Sequence, residues 1–286
     1  MQALASPLPV PSVSASGAGL APYAHVSLFV GGWAALGYAL ALDANAYLVL
    51  GIPLTIAFQL VVRRRPLREM WLRDGAAFRL GRRGVLIALG LALAPAASLP
   101  AVFRAGSWQV VCWMLAALAG AVAGGYAFAR LTRASARELL LCLATVGLPA
   151  SLVLVGLALT RAQALHVPLQ PNLVMGVGSF LAYVPATFCI EEVAFRGVLD
   201  AHVQRPGSRH GFLSAVVVSV LWGLWHWPIA PHAGSWWALP LQLIAVHTLI
   251  GVPLSYFWRR SGNLAVPAVT HSFIDGVRNA LLAQLM

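Results

Sequence analysis

The 286-residue sequence predicts an all-α fold, a polytopic transmembrane helical bundle of eight or nine spans. Three observations carry this. Hydrophobic residues make up 60% of the chain and charged residues 9%. Mean hydropathy is +0.80. Stretches of about 20 apolar residues, the length that crosses a hydrocarbon core, recur along nearly the whole chain between short connections marked by arginine, proline or glycine. A soluble domain of this size has too little interior to hide so much apolar surface.

Residues 1–23 are rich in Ala, Ser and Pro and carry no positive charge before the first apolar run. They read as a disordered tail rather than a cleaved signal peptide. Spans are then expected near 24–42, 45–62, 84–103, 108–129, 138–160, 172–199, 211–229, 236–258 and 263–285, the fourth and fifth being open to a re-entrant form. Residues 24–171 make an N-terminal group of helices and residues 172–286 a second group. All 19 basic residues are arginine, and the formal net charge is +11. They gather in alternate connections: Arg63, Arg64, Arg65, Arg68, Arg73, Arg79, Arg82 and Arg83 after the second span, Arg130, Arg133 and Arg137 after the fourth, Arg205 and Arg209 after the sixth, Arg259 and Arg260 after the eighth. That pattern orients a membrane protein, with the arginine side and the N-terminus cytoplasmic, and makes a nucleic-acid partner the weaker explanation of the charge. The segment 63–83 reads as a basic amphipathic connection lying on anionic lipid. Cys112, Cys142 and Cys189 fall in apolar segments without metal-ligand spacing and read as small buried hydrophobes.

Ionisable residues enter the spans at three places, all in the second half: Glu191, Glu192 and Arg196 in CIEEVAFRGVLD, His226 in LWGLWHWP, and His271 with Asp275 in THSFIDG. A charge at membrane depth costs about 2.5–3.5 kcal/mol on insertion scales, so such a cluster is a candidate site. Counted from the flanking arginines at about 1.5 Å per residue, the three places lie at similar heights in neighbouring helices. Glu192 and Arg196 are four apart and meet on one helix face, as do Trp222 and His226, and His271 and Asp275. Glu191 points about 100° away from Glu192 on an α-helix, which leaves one acid paired and its neighbour free to face a cavity. Asp275 has a second partner within reach in Arg278. Gly197 and Gly223 allow close approach of neighbouring chain.

EEVAFR, residues 191–196, matches an EExxxR motif; WGLWH, residues 222–226, is similar to FxxxH with tryptophan for phenylalanine; HSFID, residues 271–275, matches HxxxN/D. In this order, inside apolar spans, they resemble the CPBP family of intramembrane glutamic proteases, which includes the type II CAAX prenyl proteases and bacteriocin self-immunity proteins. The resemblance covers about residues 172–285. It implies a peptidase in which Glu191 is the general base, His226 helps to hold the attacking water, His271 and Asp275 stabilise the oxyanion, and Glu192 with Arg196 supports the site. Many members carry asparagine at the last position; an ionised aspartate would repel an oxyanion, so Asp275 is either protonated or orients His271. No cofactor is implied.

Two other functions use the same residues. A zinc-dependent protease would ligate the metal with these acids and histidines, although H-E-x-x-H is missing. A non-enzymatic immunity factor, scaffold or transporter would use the polar layer for binding or proton relay. The expected partners are the bilayer and a membrane-anchored protein or peptide substrate, with a bacterial inner membrane as the expected location. The sequence carries no C-a-a-X ending and no sign of an oligomeric state.

Overall fold

The computed structural model describes residues 19–73, 77–204, 211–230 and 237–282. The expected tail therefore lies almost wholly outside the described residues, as do Arg205, Arg209 and residues 283–285 of the last expected span. The helices are α1 (Ala21–Ala39), α2 (Ala44–Ala57), α3 (Arg82–Arg104), α4 (Trp108–Ala129), α5 (Arg133–Cys142), α6 (Leu148–Ala164), α7 (Leu173–Thr187), α8 (Ala201–Val203), α9 (Gly211–Trp225), α10 (Ala238–Ser261) and α11 (Ala265–Leu282). Wider π turns extend α2 over Phe58–Val62, join α5 to α6 over Leu143–Gly147 and lead into α8 over Val193–Asp200. Among the described residues the sole β pairing is an isolated bridge between Leu72 and Asn263.

Among the described residues six helical runs are long and apolar enough to cross a membrane: Ala44–Val62, Arg82–Arg104, Trp108–Ala129, Arg133–Ala164, Gly211–Ile229 and Ala238–Ser261. The fourth and fifth expected spans are thus full-length helices rather than re-entrant ones. Of the remaining three expected spans, α1 and α11 are continuous helices outside that set, and the stretch 172–199 is broken. Pro185 removes one backbone donor near the end of α7, and the Thr187 hydroxyl donates to Val184 O. The chain turns through Phe188–Ile190 and resumes at Glu191 before the π segment begins. Seventh-span geometry follows the expectation closely: α9 stops at Trp225 and a 3₁₀ turn covers Trp227–Ile229, with Pro228 in its first turn.

The helix ends meet in two layers. At the arginine end, Arg63 after α2 donates to Gly197 O (3.1 Å) and Arg130 after α4 to Ala77 O (3.1 Å). Arg260 of α10 pairs with Glu138 of α5 at 2.7 Å, and His25 of α1 lies 3.3 Å from His202 of α8. At the opposite end the Tyr47 hydroxyl of α2 donates to Trp225 O of α9, and Asn172 N, before α7, to Ala280 O of α11.

Part of the connection after α2, expected as a basic amphipathic segment on anionic lipid, folds into the bundle. Residues 63–73 form a strap folded into the arginine end of the bundle, with a 3₁₀ turn at Leu67–Met70 and with Met70 and Leu72 buried. Trp71 Nε1 donates to Phe188 O at 2.6 Å, Arg73 N to Gly262 O at 2.9 Å, and Leu264 N to Trp71 O at 3.0 Å. The physical reason is hydrogen-bond demand: the break at Phe188 and the π turn leave carbonyls without helical partners, and buried carbonyls must find donors elsewhere. Met70 O sits so close to Gly197 that no side chain fits between them. Gly223 likewise lets α9 reach the α10 backbone at Leu243.

A second departure concerns Arg259. It is not a free loop cation: Nε and Nη2 take the two oxygens of Asp200, at 3.0 and 2.6 Å, and Nη2 also reaches the Ser214 hydroxyl at 2.9 Å. Asp200 is fully buried. Removing one partner of a buried ion pair strands the other, at a cost of about 3–5 kcal/mol. Asp200→Ala is expected to lower unfolding stability in detergent by that order, read as a drop in midpoint on a thermal or denaturant scan. Unchanged stability would mean that the pair is solvated. Cys112 also departs from expectation, since it faces outward; Cys142 is buried, and Cys189 donates its thiol to Ala116 O at 2.9 Å.

Candidate active site

The break after α7 delivers Glu191 to the wall of a cavity of about 540 Å³, within the size range of ligand sites. Glu191, Trp222, His226, His247, His271, Asp275 and Arg278 supply its polar lining. The rest is apolar. Val153 and Leu157 of α6 and Leu249 of α10 line the cavity while facing outward, at 62%, 61% and 77% exposure, so the hollow opens sideways between α6 and α10.

The two adjacent glutamates have different surroundings. Glu192 is fully buried, with Oε1 2.9 Å from His271 Nδ1 and 3.4 Å from Arg196 Nη1. Arg196, also fully buried, lies with its guanidinium 4.2 Å from the Trp222 ring centre. The four-residue pairing therefore forms as the spacing requires, although the helix there has π rather than α geometry, a form often found at functional sites. Among the described residues Glu191 makes no ion pair with an arginine. Its Oε2 accepts the Trp222 indole N–H at 3.0 Å and lies 3.6 Å from His226 Nε2.

The histidines are set by backbone and acid. His226 Nδ1 is 2.9 Å from Trp222 O, which assigns the hydrogen to Nδ1 and leaves an Nε2 lone pair towards Glu191. His271 lies between two carboxylates, Glu192 on Nδ1 and Asp275 Oδ2 3.5 Å from Nε2. The other oxygen of Asp275 is 2.8 Å from Arg278 Nη1. Glu191, His226, His271 and Asp275 are thus brought together on one cavity, whereas Glu192 and Arg196 stand behind its wall. Among the described residues no three His, Cys, Asp or Glu side chains are grouped to hold a metal ion.

Three participants escaped the sequence reading. Arg278 was visible as a possible partner of Asp275 but not as a cavity residue. Trp222 was placed on the face of His226 and noted as a variant of phenylalanine, but not for the N–H that an indole adds. His247 was passed over; its signal was a histidine inside an apolar span, 12 residues before Arg259 and so at the height of the others.

Residues 172–277 match the family model described as Rce1-like, type II CAAX prenyl endopeptidase Rce1-like. Over that segment the chain is similar to the CPBP, CAAX protease-like family, and with its apolar helices it is an integral membrane protein. That family is a family of proteases. No curated protein and no solved structure matches the chain. The matched segment contains every motif residue named above.

Proposed function

We propose that the protein is an intramembrane glutamic endopeptidase that cleaves a membrane-associated protein or peptide entering from the bilayer between α6 and α10. The observation that carries this reading is the division of labour between the adjacent acids: Glu192 is held by Arg196 and His271, while Glu191 faces the cavity with an imidazole acceptor 3.6 Å away. That separation is too long for a direct hydrogen bond and suits a bridging water. Such a water gives one hydrogen to Glu191 Oε2 and the other to His226 Nε2, which leaves an oxygen lone pair for a peptide carbonyl.

In the reaction, water oxygen attacks the carbonyl carbon as its proton passes to Glu191. The C–N bond then breaks, and the proton held by Glu191 goes to the departing amine. The adduct's negative oxygen needs donors in place. His271, flanked by two acids, suits a ring with hydrogen on both nitrogens, and Arg278 adds a guanidinium beside it. Asp275, neutralised by Arg278, serves to orient His271 rather than to donate.

The meeting of helix ends supports nine traverses of alternating direction, with the broken 172–200 stretch as one of them and the arginine layer cytoplasmic. A bacterial inner membrane is the location that this reading assigns.

The test uses a fluorogenic peptide with a lipid anchor and purified protein. His226→Ala is expected to lower cleavage by about 100-fold, as loss of a water-positioning group does, and chelators are expected to leave the wild-type rate unchanged. Chelator inactivation restored by zinc would favour a metalloprotease instead, and full activity of His226→Ala would remove its assigned role.

A further inference from the structure

His247 belongs to no motif, and the mechanism above does not use it. Its ring centre lies 4.1 Å from that of His226 with 32° between the planes, a close stack. It is itself clamped: Nδ1 sits 2.6 Å from Leu243 O one turn back, and the Trp222 ring meets it edge-on at 4.6 Å and 87°. Trp225 meets His226 edge-on in turn, at 4.8 Å and 88°.

His226 needs this support. Its bond to Trp222 O fixes one nitrogen but leaves the ring free to rock about the Cα–Cβ and Cβ–Cγ bonds, and a displacement of about 1 Å at a catalytic group can cost about 100-fold. A flat, immobile neighbour against the ring removes that freedom. The clamp explains why the neighbour is histidine: a phenyl ring offers the same face but no N–H for Leu243 O, so its own plane is less firmly set. A polar ring at this depth also costs more to bury than a phenyl ring, unless its hydrogen bond is made.

We propose that His247 is a positioning residue which, through its stack, holds the His226 imidazole in the single tautomer and orientation that present Nε2 to Glu191. This rests on the hydrolase reading for its consequence in catalysis, but not for the ring geometry itself.

The experiment follows the ring nitrogens of His226 by NMR in ¹⁵N-histidine-labelled protein in detergent micelles, with the peptide assay in parallel. Wild type is expected to show His226 in one tautomer, with hydrogen on Nδ1. His247→Ala is expected to give averaged tautomers and to lower kcat by about 10-fold or more with KM within twofold. His247→Phe, which keeps the face, is expected to recover most of kcat and the single tautomer. Unchanged His226 signals in His247→Ala would overturn the proposal, as would a His247→Phe variant as inactive as alanine, which would mark a proton carrier. If Glu191→Gln still cleaves while the NMR results hold, the hydrolase reading fails and the positioning inference survives.

Discussion

Replacing Glu191 by glutamine is expected to lower turnover of an anchored peptide by about 10²–10⁴-fold, the contribution of a positioned base, while the thermal midpoint stays at the wild-type value. Both halves follow from its surroundings. The amide has the carboxylate's shape and still offers an oxygen to the Trp222 N–H, so packing is preserved. It cannot take a proton from water. Because Glu191 makes no ion pair with an arginine among the described residues, no ion-paired arginine is left stranded. A variant that cleaves at the wild-type rate would exclude Glu191 as the base, and one that unfolds would show that its role is structural.

Arg196→Met should behave in the opposite way, with a loss of about 3–5 kcal/mol in unfolding stability. Arg196 and Glu192 are both fully buried, and the nitrogens of Arg196 make no hydrogen bond among the described residues beyond their ionic contact with Glu192. Deleting the guanidinium leaves a buried carboxylate with His271 as its remaining partner and removes the cation over the Trp222 ring. The double variant Glu192→Gln, Arg196→Met removes both charges and should regain most of the loss, because replacing a whole buried pair is often neutral. Denaturant scans of the three variants in one detergent check this. Wild-type stability of Arg196→Met would mean that water reaches the pair.

Sequence periodicity was enough to place the three motif helices at one height and to separate Glu191 from Glu192, because four-residue spacing and membrane depth are local arithmetic. Where local arithmetic ends, so did the reading. The turn after Pro185 was hidden inside an unbroken apolar run, since hydropathy does not register a missing backbone donor. The strap at residues 63–73 looked like a surface element because its arginines dominate its composition, yet Trp71 and Arg63 are drawn inward by the carbonyls of Phe188 and Gly197, more than a hundred residues away. Asp200 and Arg259, 59 positions apart, posed the same difficulty. His247 was missed for a different reason: its meaning lies in a ring contact across two helices, and nothing adjacent to it in sequence announces that contact.

A double-mutant cycle on Glu191 and His226 tests the shared-water mechanism most directly. Two groups that bind one water act as a unit, so the account predicts that Glu191→Gln with His226→Ala turns over no more slowly than Glu191→Gln alone. Losses that multiply, each substitution subtracting its full effect in the presence of the other, would place the two side chains in separate steps and contradict it.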